Sequence, residues 1–129
     1  MYKNLEVFRM AHAMATHAGS RQAVIARNMA NADTPGYTAQ DVTPFQAILE
    51  SETAGYAQRA TRITHLNGTV PGGDIQTFDR PGTQADPNGN TVSVESEMLH
   101  AVDVKRQHDR AITIYKSALG VLRSAVGRQ

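Results

Sequence analysis

Asn28-Met29-Ala30-Asn31-Ala32-Asp33-Thr34-Pro35-Gly36-Tyr37 is where the chain changes character. Pro35 disfavours helical backbone at Thr34, so the periodic segment before it must end there at the latest. Asp33-Thr34-Pro35-Gly36 reads as a turn, with Pro35 fixing φ and Gly36 after it supplying positive φ. Asn28 and Asn31 are placed to offer side-chain amides to the unpaired carbonyls of a helix end. Phe45 then opens a short apolar patch with Ile48 and Leu49.

Upstream, Phe8, Ala11, Ala15, Ala18, Gln22, Ile25, Met29 and Ala32 alternate in steps of three and four, the pattern of one helix paired with another. Half of these side chains are Ala, so a partner helix can come close. A second line, Val7, Met10, Met14 and Val24, lies beside the first. The pattern predicts a helix over about 4–33, a rod of roughly 40 Å at ~1.5 Å per residue. At the far end, Val94, Met98, Ala101, Lys105, His108, Ile112, Tyr115, Leu119, Leu122 and Val126 keep the same alternation, predicting a helix over 93–127. Ser93 is an N-cap residue, and Glu95 and Glu97 lie in the first turn, where the helix dipole favours acids. Here too a second line runs alongside, through Ala111, Ile114, Ala118, Val121 and Ala125. A helix apolar on two sides is either enclosed by a larger core or shared between subunits. The chain has too little other apolar mass to enclose it, so assembly is the better reading.

The fold expected is mainly α: long N- and C-terminal helices pairing as an antiparallel coiled-coil-like unit, with a loop-rich middle containing a short hairpin. Residues 1–129 form one subunit, with the turn over 34–50 and the loop-rich segment over 51–90. Within that segment Ile63-Thr64-His65-Leu66 and Thr69-Val70 flank Asn67-Gly68, a two-residue hairpin signal. Ile75-Gln76-Thr77-Phe78 reads as a short strand. Arg80-Pro81-Gly82 and Asp86-Pro87-Asn88-Gly89-Asn90 are turns without apolar periodicity.

Composition excludes several functions. Net charge is +1, with bases scattered among acids, which gives no case for a nucleic-acid or anionic-membrane binder. Cysteine is absent, so there is no disulfide framework, zinc finger or thiol chemistry. No stretch approaches the ~18 apolar residues of a membrane span, and the N-terminus has no secretory-signal pattern. Export, if it occurs, is expected by a route without a cleaved signal. Glu97-x-x-His100 has the spacing of di-iron bundles but lacks their further carboxylates, so it reads as an exposed acid and histidine in a first turn. His12 and His17 point to different helix faces. Lys105 and His108 read as register-setting polar positions in a seam. No phosphate loop or nucleophile elbow is present, so no enzyme, metal or cofactor is expected.

The stretch Ala30-Asn31-Ala32-Asp33-Thr34-Pro35-Gly36-Tyr37, followed by Phe45, resembles the signature that ends the N-terminal helix of the flagellar axial proteins, the rod and hook subunits. Asn88-Gly89-Asn90-Thr91-Val92 and Glu97-Met98, with the short length, resemble the proximal-rod members. Their usual Asp is replaced here by Asn88, and the N-cap by Ser93. The resemblance implies a structural subunit exported by the flagellar type III apparatus. It implies assembly with its own copies, with FlgC-like rod proteins and with the inner-membrane ring, in a periplasm-spanning rod that transmits torque. The residues it singles out are Asn28, Ala30, Asn31, Thr34, Pro35, Gly36, Tyr37 and Phe45. The helix lines add Phe8, Ile25, Met29, Met98, Ile112, Tyr115, Leu119, Leu122, Ile114 and Val121 as assembly positions. A cytoplasmic coiled-coil adaptor or chaperone would show the same helix lines and is the rival reading.

Overall fold

The computed structural model describes residues 2–54, 75–82 and 84–127. Helix α1 spans Tyr2–Ala30 and helix α3 Val94–Val126, lengths of about 43 and 50 Å at ~1.5 Å per residue. They lie antiparallel. Phe8 near the start of α1 meets Tyr115 late in α3 edge to face, ring centroids 5.1 Å apart, while Asn28 at the other end of α1 meets Glu97 in the first turn of α3. Between these points Ala18, Ile25 and Val104 are fully buried against one another, with Ala101 packed on them, and Ala11 and Ala111 are also buried. Small residues dominate the contact, which lets the backbones approach. The larger Ile25 contributes ~1.5–3 kcal/mol of burial.

Between the long helices lie strand β1 (Gln40–Val42), helix α2 (Phe45–Ala54) and strand β2 (Thr77–Asp79). The strands form a two-stranded antiparallel ribbon with Asp41 opposite Phe78. The pairing therefore joins the turn region to the end of the middle segment. The hairpin expected around Asn67-Gly68 lies outside the described residues. The strand expected at 75–78 is found slightly later, at 77–79. Gln40–Val42 has no signal as a strand in the sequence, because three residues carry no periodicity of their own.

Two of the helix lines are corrected. On α1 the second line, continued in the same steps, runs Val7, Met10, Met14, His17, Arg21, Val24 and Asn28. Its C-terminal half is covered within the subunit, with His17, Val24 and Asn28 buried beside β1, while Val7 and Met10 stay 40% and 49% exposed. On α3 the fully buried positions are Glu97, Val104 and Ala111, one heptad apart. Of the line that begins Val94 and Met98, Ala101 packs on the core and Tyr115 meets Phe8, while its first two members stay outside. Those two residues are 37% and 55% exposed. The Glu97-Val104-Ala111 line is hidden in the sequence because a buried Glu does not count as apolar.

Candidate functional site: the elbow between the helices

The end of α1 is closed by side chains from far along the sequence. Asn90, 1% exposed, donates from its amide to the carbonyls of Asn31, Ala32 and Thr34 at 2.8–2.9 Å. These carbonyls lie just beyond the helix end, where the helical ladder no longer supplies donors; Asn31 O and Thr34 O also accept from Thr34 N–H and Tyr37 N–H. The Asn90 side-chain oxygen accepts from Val92 N–H at 2.7 Å. Thr91 joins the same segments: its N–H donates to Tyr37 O at 3.0 Å and its hydroxyl accepts from Ala39 N–H at 2.8 Å. The C-cap of α1 is thus the stretch that leads into α3.

Two turns meet face to face beside this cap. Tyr37 N–H donates to Thr34 O, closing the turn in which Pro35 precedes Gly36 at φ +71°. Gly36 N–H donates to Asn88 O at 3.0 Å, and a Cβ on Gly89 would lie 3.5 Å from the Gly36 Cα. A Cβ on Gly36 itself meets nothing within 4 Å, so the cost of replacing it is in the backbone and not in a clash. Gly36→Val is expected to lower stability by about 1–2 kcal/mol in a thermal melt, the cost of left-handed backbone for a branched residue. A wild-type melt would show that the turn tolerates another conformation.

Asn28 is the centre of the elbow. It is 0% exposed, and every hydrogen-bonding capacity of its amide is used. It donates to Gln40 O at 2.7 Å and to Glu97 Oε2 at 3.1 Å, and accepts from Gln40 N–H at 3.1 Å and from Tyr37 Oη–H at 3.2 Å. It serves β1 as a neighbouring strand would. The sequence reading, in which Asn28 satisfies the carbonyls of its own helix, is corrected here; Asn31 does play that part, donating to Arg27 O at 2.8 Å.

From Asn28 a ring of charges returns to α1. Glu97, 0% exposed, accepts from Arg80 Nη1 at 2.5 Å. Arg80 Nη2 lies 3.7 Å from Asp41 Oδ2, and Asp41 receives a two-pronged contact from Arg21, Nε to Oδ1 at 2.9 Å and Nη2 to Oδ2 at 3.0 Å. Two cations and two anions thus tie α1, β1, the residue after β2 and the start of α3. Glu97 is therefore not the exposed first-turn acid of the sequence reading: an acid beside a helix start is also well placed for burial if a base is brought to it from elsewhere. His17 anchors the next turn of α1, its Nε2–H donating to Thr43 O at 2.7 Å with its ring tilted against Phe45, 5.6 Å away. That contact fixes where α2 begins.

Burial would raise the Asp41 carboxyl, but hydrogen bonds from Arg21 and the Val42 N–H, with the charges of Arg21 and Arg80, outweigh it and hold the group below its ordinary value. A depressed acid stabilises the fold above its unfolded value of ~3.9, and that contribution is lost as pH falls through the lower folded value. Unfolding is therefore expected to become easier below about pH 4, and Asp41→Asn to flatten that part of the pH profile. An unchanged acid limb in Asp41→Asn would assign it to other carboxylates.

The remaining singled-out residues scatter over the surface of the helix pair. Ile25 is buried; Phe8, Ile112, Leu119 and Leu122 are half-buried; Met29, Ile114, Tyr115, Met98 and Val121 are 37%, 39%, 44%, 55% and 58% exposed. Lys105 and His108 are exposed, with Lys105 donating to Asp109 at 2.8 Å. Among the described residues no cluster of His, Asp and Glu is arranged to hold a metal, and no helix is long and apolar enough to cross a membrane.

The elbow is built around the two stretches singled out in the sequence, and the first of them falls within a family match. The family described as "Flagella basal body rod protein" matches residues 13–38, the second half of α1 and the turn. The flagellar basal body rod protein FlgB of Agrobacterium fabrum is 32% identical over 118 residues, 88% of this chain and 87% of that one. The chain belongs to the flagellar basal body rod family. It is also 32% identical to FlgB of Salmonella typhimurium over 77% of each chain, and 32% identical to FlgB of Bacillus subtilis over 64% of each. A rod-family subunit of the FlgB kind is a structural part of the flagellar basal body, and the adaptor or chaperone reading finds no support among these relatives. In this rod subunit the family match ends at Thr38, just before the ribbon strand that Asn28 holds.

Proposed function

We propose that the elbow sets the angle at which the paired terminal helices leave the middle segment, and that the helices' outer faces are the assembly surfaces of the rod. The role is non-catalytic. Subunits pass through the flagellar type III apparatus without a cleaved signal, then assemble with their own copies, with FlgC-like rod proteins and with the inner-membrane ring in the proximal part of the periplasm-spanning, torque-bearing tube. Residues 1–129 act in it as one unit, with Asn28, Ala30, Asn31, Thr34, Pro35, Gly36, Tyr37 and Phe45 at the elbow.

The observation that carries this reading is what the helix pair leaves uncovered. With α1 and α3 already packed on each other, Val7, Met10, Met98, Leu99, Val102, Val121 and Val126 are still between 40% and 77% exposed. Apolar surface of that extent along rods of this length marks an interaction face, and a contact between unlike faces propagates as an open helical polymer. Val121→Asp tests it. At 58% exposed, Val121 contributes little to the subunit itself, so circular dichroism should be nearly unchanged. Incorporation into basal bodies should be lost, because each assembled contact would bury an unpaired charge at a cost of several kcal/mol. Normal basal bodies in that variant would mean the face is turned to solvent.

A further inference from the structure

Asn88-Gly89 places a chemically fragile pair at the tightest point of the elbow. Glycine has no Cβ to hinder its nitrogen, so an asparagine followed by glycine is the pair at which side-chain amide loss is easiest, and asparagine is a thermally labile residue in general. Asn88 is exposed and Gly89 sits at φ +80°. The reaction needs the Gly89 nitrogen to reach the Asn88 Cγ. In the closed elbow both partners are otherwise engaged: Gly89 N–H donates to Asp86 O at 2.8 Å, and the Asn88 Oδ1 accepts from Asn90 N–H at 2.9 Å. The Asn88 carbonyl is meanwhile held by Gly36 N–H at 3.0 Å.

We propose that Asn88 is a deamidation site gated by the elbow, reactive while the chain is open and protected once the two turns have closed on each other. In the open chain the Gly89 nitrogen bonds to Asn88 Cγ, the Cγ–Nδ2 bond breaks, and Nδ2 leaves as ammonia with the proton from the Gly89 amide. Water then opens the cyclic imide at either carbonyl, giving aspartate or an isoaspartyl link. No oxidant or reductant takes part. The isoaspartyl product runs the main chain through the former side chain, adding a methylene between the Cα of residue 88 and the Gly89 nitrogen, inside the turn closed by Gly89 N–H on Asp86 O. That displaces both the carbonyl facing Gly36 and the amide that caps α1. A chain kept open for long therefore accumulates elbows unable to close, which sets a chemical limit on the time between synthesis and folding.

The full chain would be incubated at mildly alkaline pH in native buffer and in concentrated urea, and Asn88-containing peptides followed by mass spectrometry with chromatographic separation of the isoaspartyl form. Loss at Asn88 should be at least about tenfold slower in native buffer, the factor reporting how seldom the elbow opens. Asn67-Gly68, the chain's other such pair, gives an internal rate in urea. Asn90→Ala removes the cap without touching the reacting pair and should raise the native-buffer rate toward the urea rate, whether it opens the elbow alone or the whole subunit. Equal rates for the wild-type chain in the two buffers would overturn the gating. So would an Asn88 that survives urea while Asn67 reacts, or an Asn90→Ala rate no faster than wild type.

Discussion

Asn28→Asp is expected to lose about 3–5 kcal/mol at neutral pH, the range for an uncompensated buried charge. The substitution changes almost no volume, so the cause would be electrostatic. A carboxylate there would face Glu97 Oε2 across the 3.1 Å now spanned by an N–H. It could no longer donate to Gln40 O, so one of the two hydrogen bonds between Gln40 and residue 28 would be lost. Two carboxylates in one buried site share a proton, so one of them titrates well above the ordinary range. The sign follows from that. The raised group favours the protonated state in the fold, so the variant should gain stability as pH falls from 7 toward 5, where wild type gains nothing from the pair. Thermal melts across that range give the comparison. A variant equally destabilised at both ends would mean that Glu97 is already relieved by another route.

Arg80→Ala should cost a similar ~3–5 kcal/mol, because it leaves the fully buried Glu97 facing the neutral Asn28 amide with no cation at 2.5 Å. The ring would also lose its link to Asp41, now at 3.7 Å. A double-mutant cycle separates the ion pair from lost packing: Arg80→Ala combined with Glu97→Leu should cost clearly less than the sum of the single changes. Additive costs would show that Arg80 acts by covering the ribbon and not by neutralising Glu97. In cells, the elbow variants are expected to reduce motility by destabilising the subunit, and Val121→Asp by blocking its assembly while the subunit stays folded.

The two long helices are legible in the sequence because each repeats its signal many times. An error at one position, such as Gln22 in the seam of α1, is outvoted by Phe8, Ala11, Ala18 and Ile25. The Pro35-Gly36 turn is legible from chemistry that acts within a few residues, and Gly36 has the positive φ expected of it. The family is readable from the same local stretch. What the helix periodicity does not give is which residues of α3 are fully buried, since Val94-Met98 and Val104-Ala111 lie on neighbouring lines and nothing local ranks them.

The elbow itself is decided only in three dimensions. Asn28, Asp41, Arg80, Asn90 and Glu97 are polar residues with nothing apolar or periodic about them, and each would be satisfied by water in an isolated segment. Asn28, Asn90 and Glu97 become buried, and Asp41 and Arg80 partly so, because the pairing of α1 with α3 brings residues 28 and 97 together, and the ribbon then brings Arg80 to them. A buried amide or carboxylate is tolerated only when its partners arrive with it. Those partners come from as far as 69 positions away. The chain by itself therefore determined the two long helices and where the first one stops, but not helix α2, which falls in the stretch read as turn and loop. The tertiary structure determined which faces are free for assembly and which polar residues lock the joint.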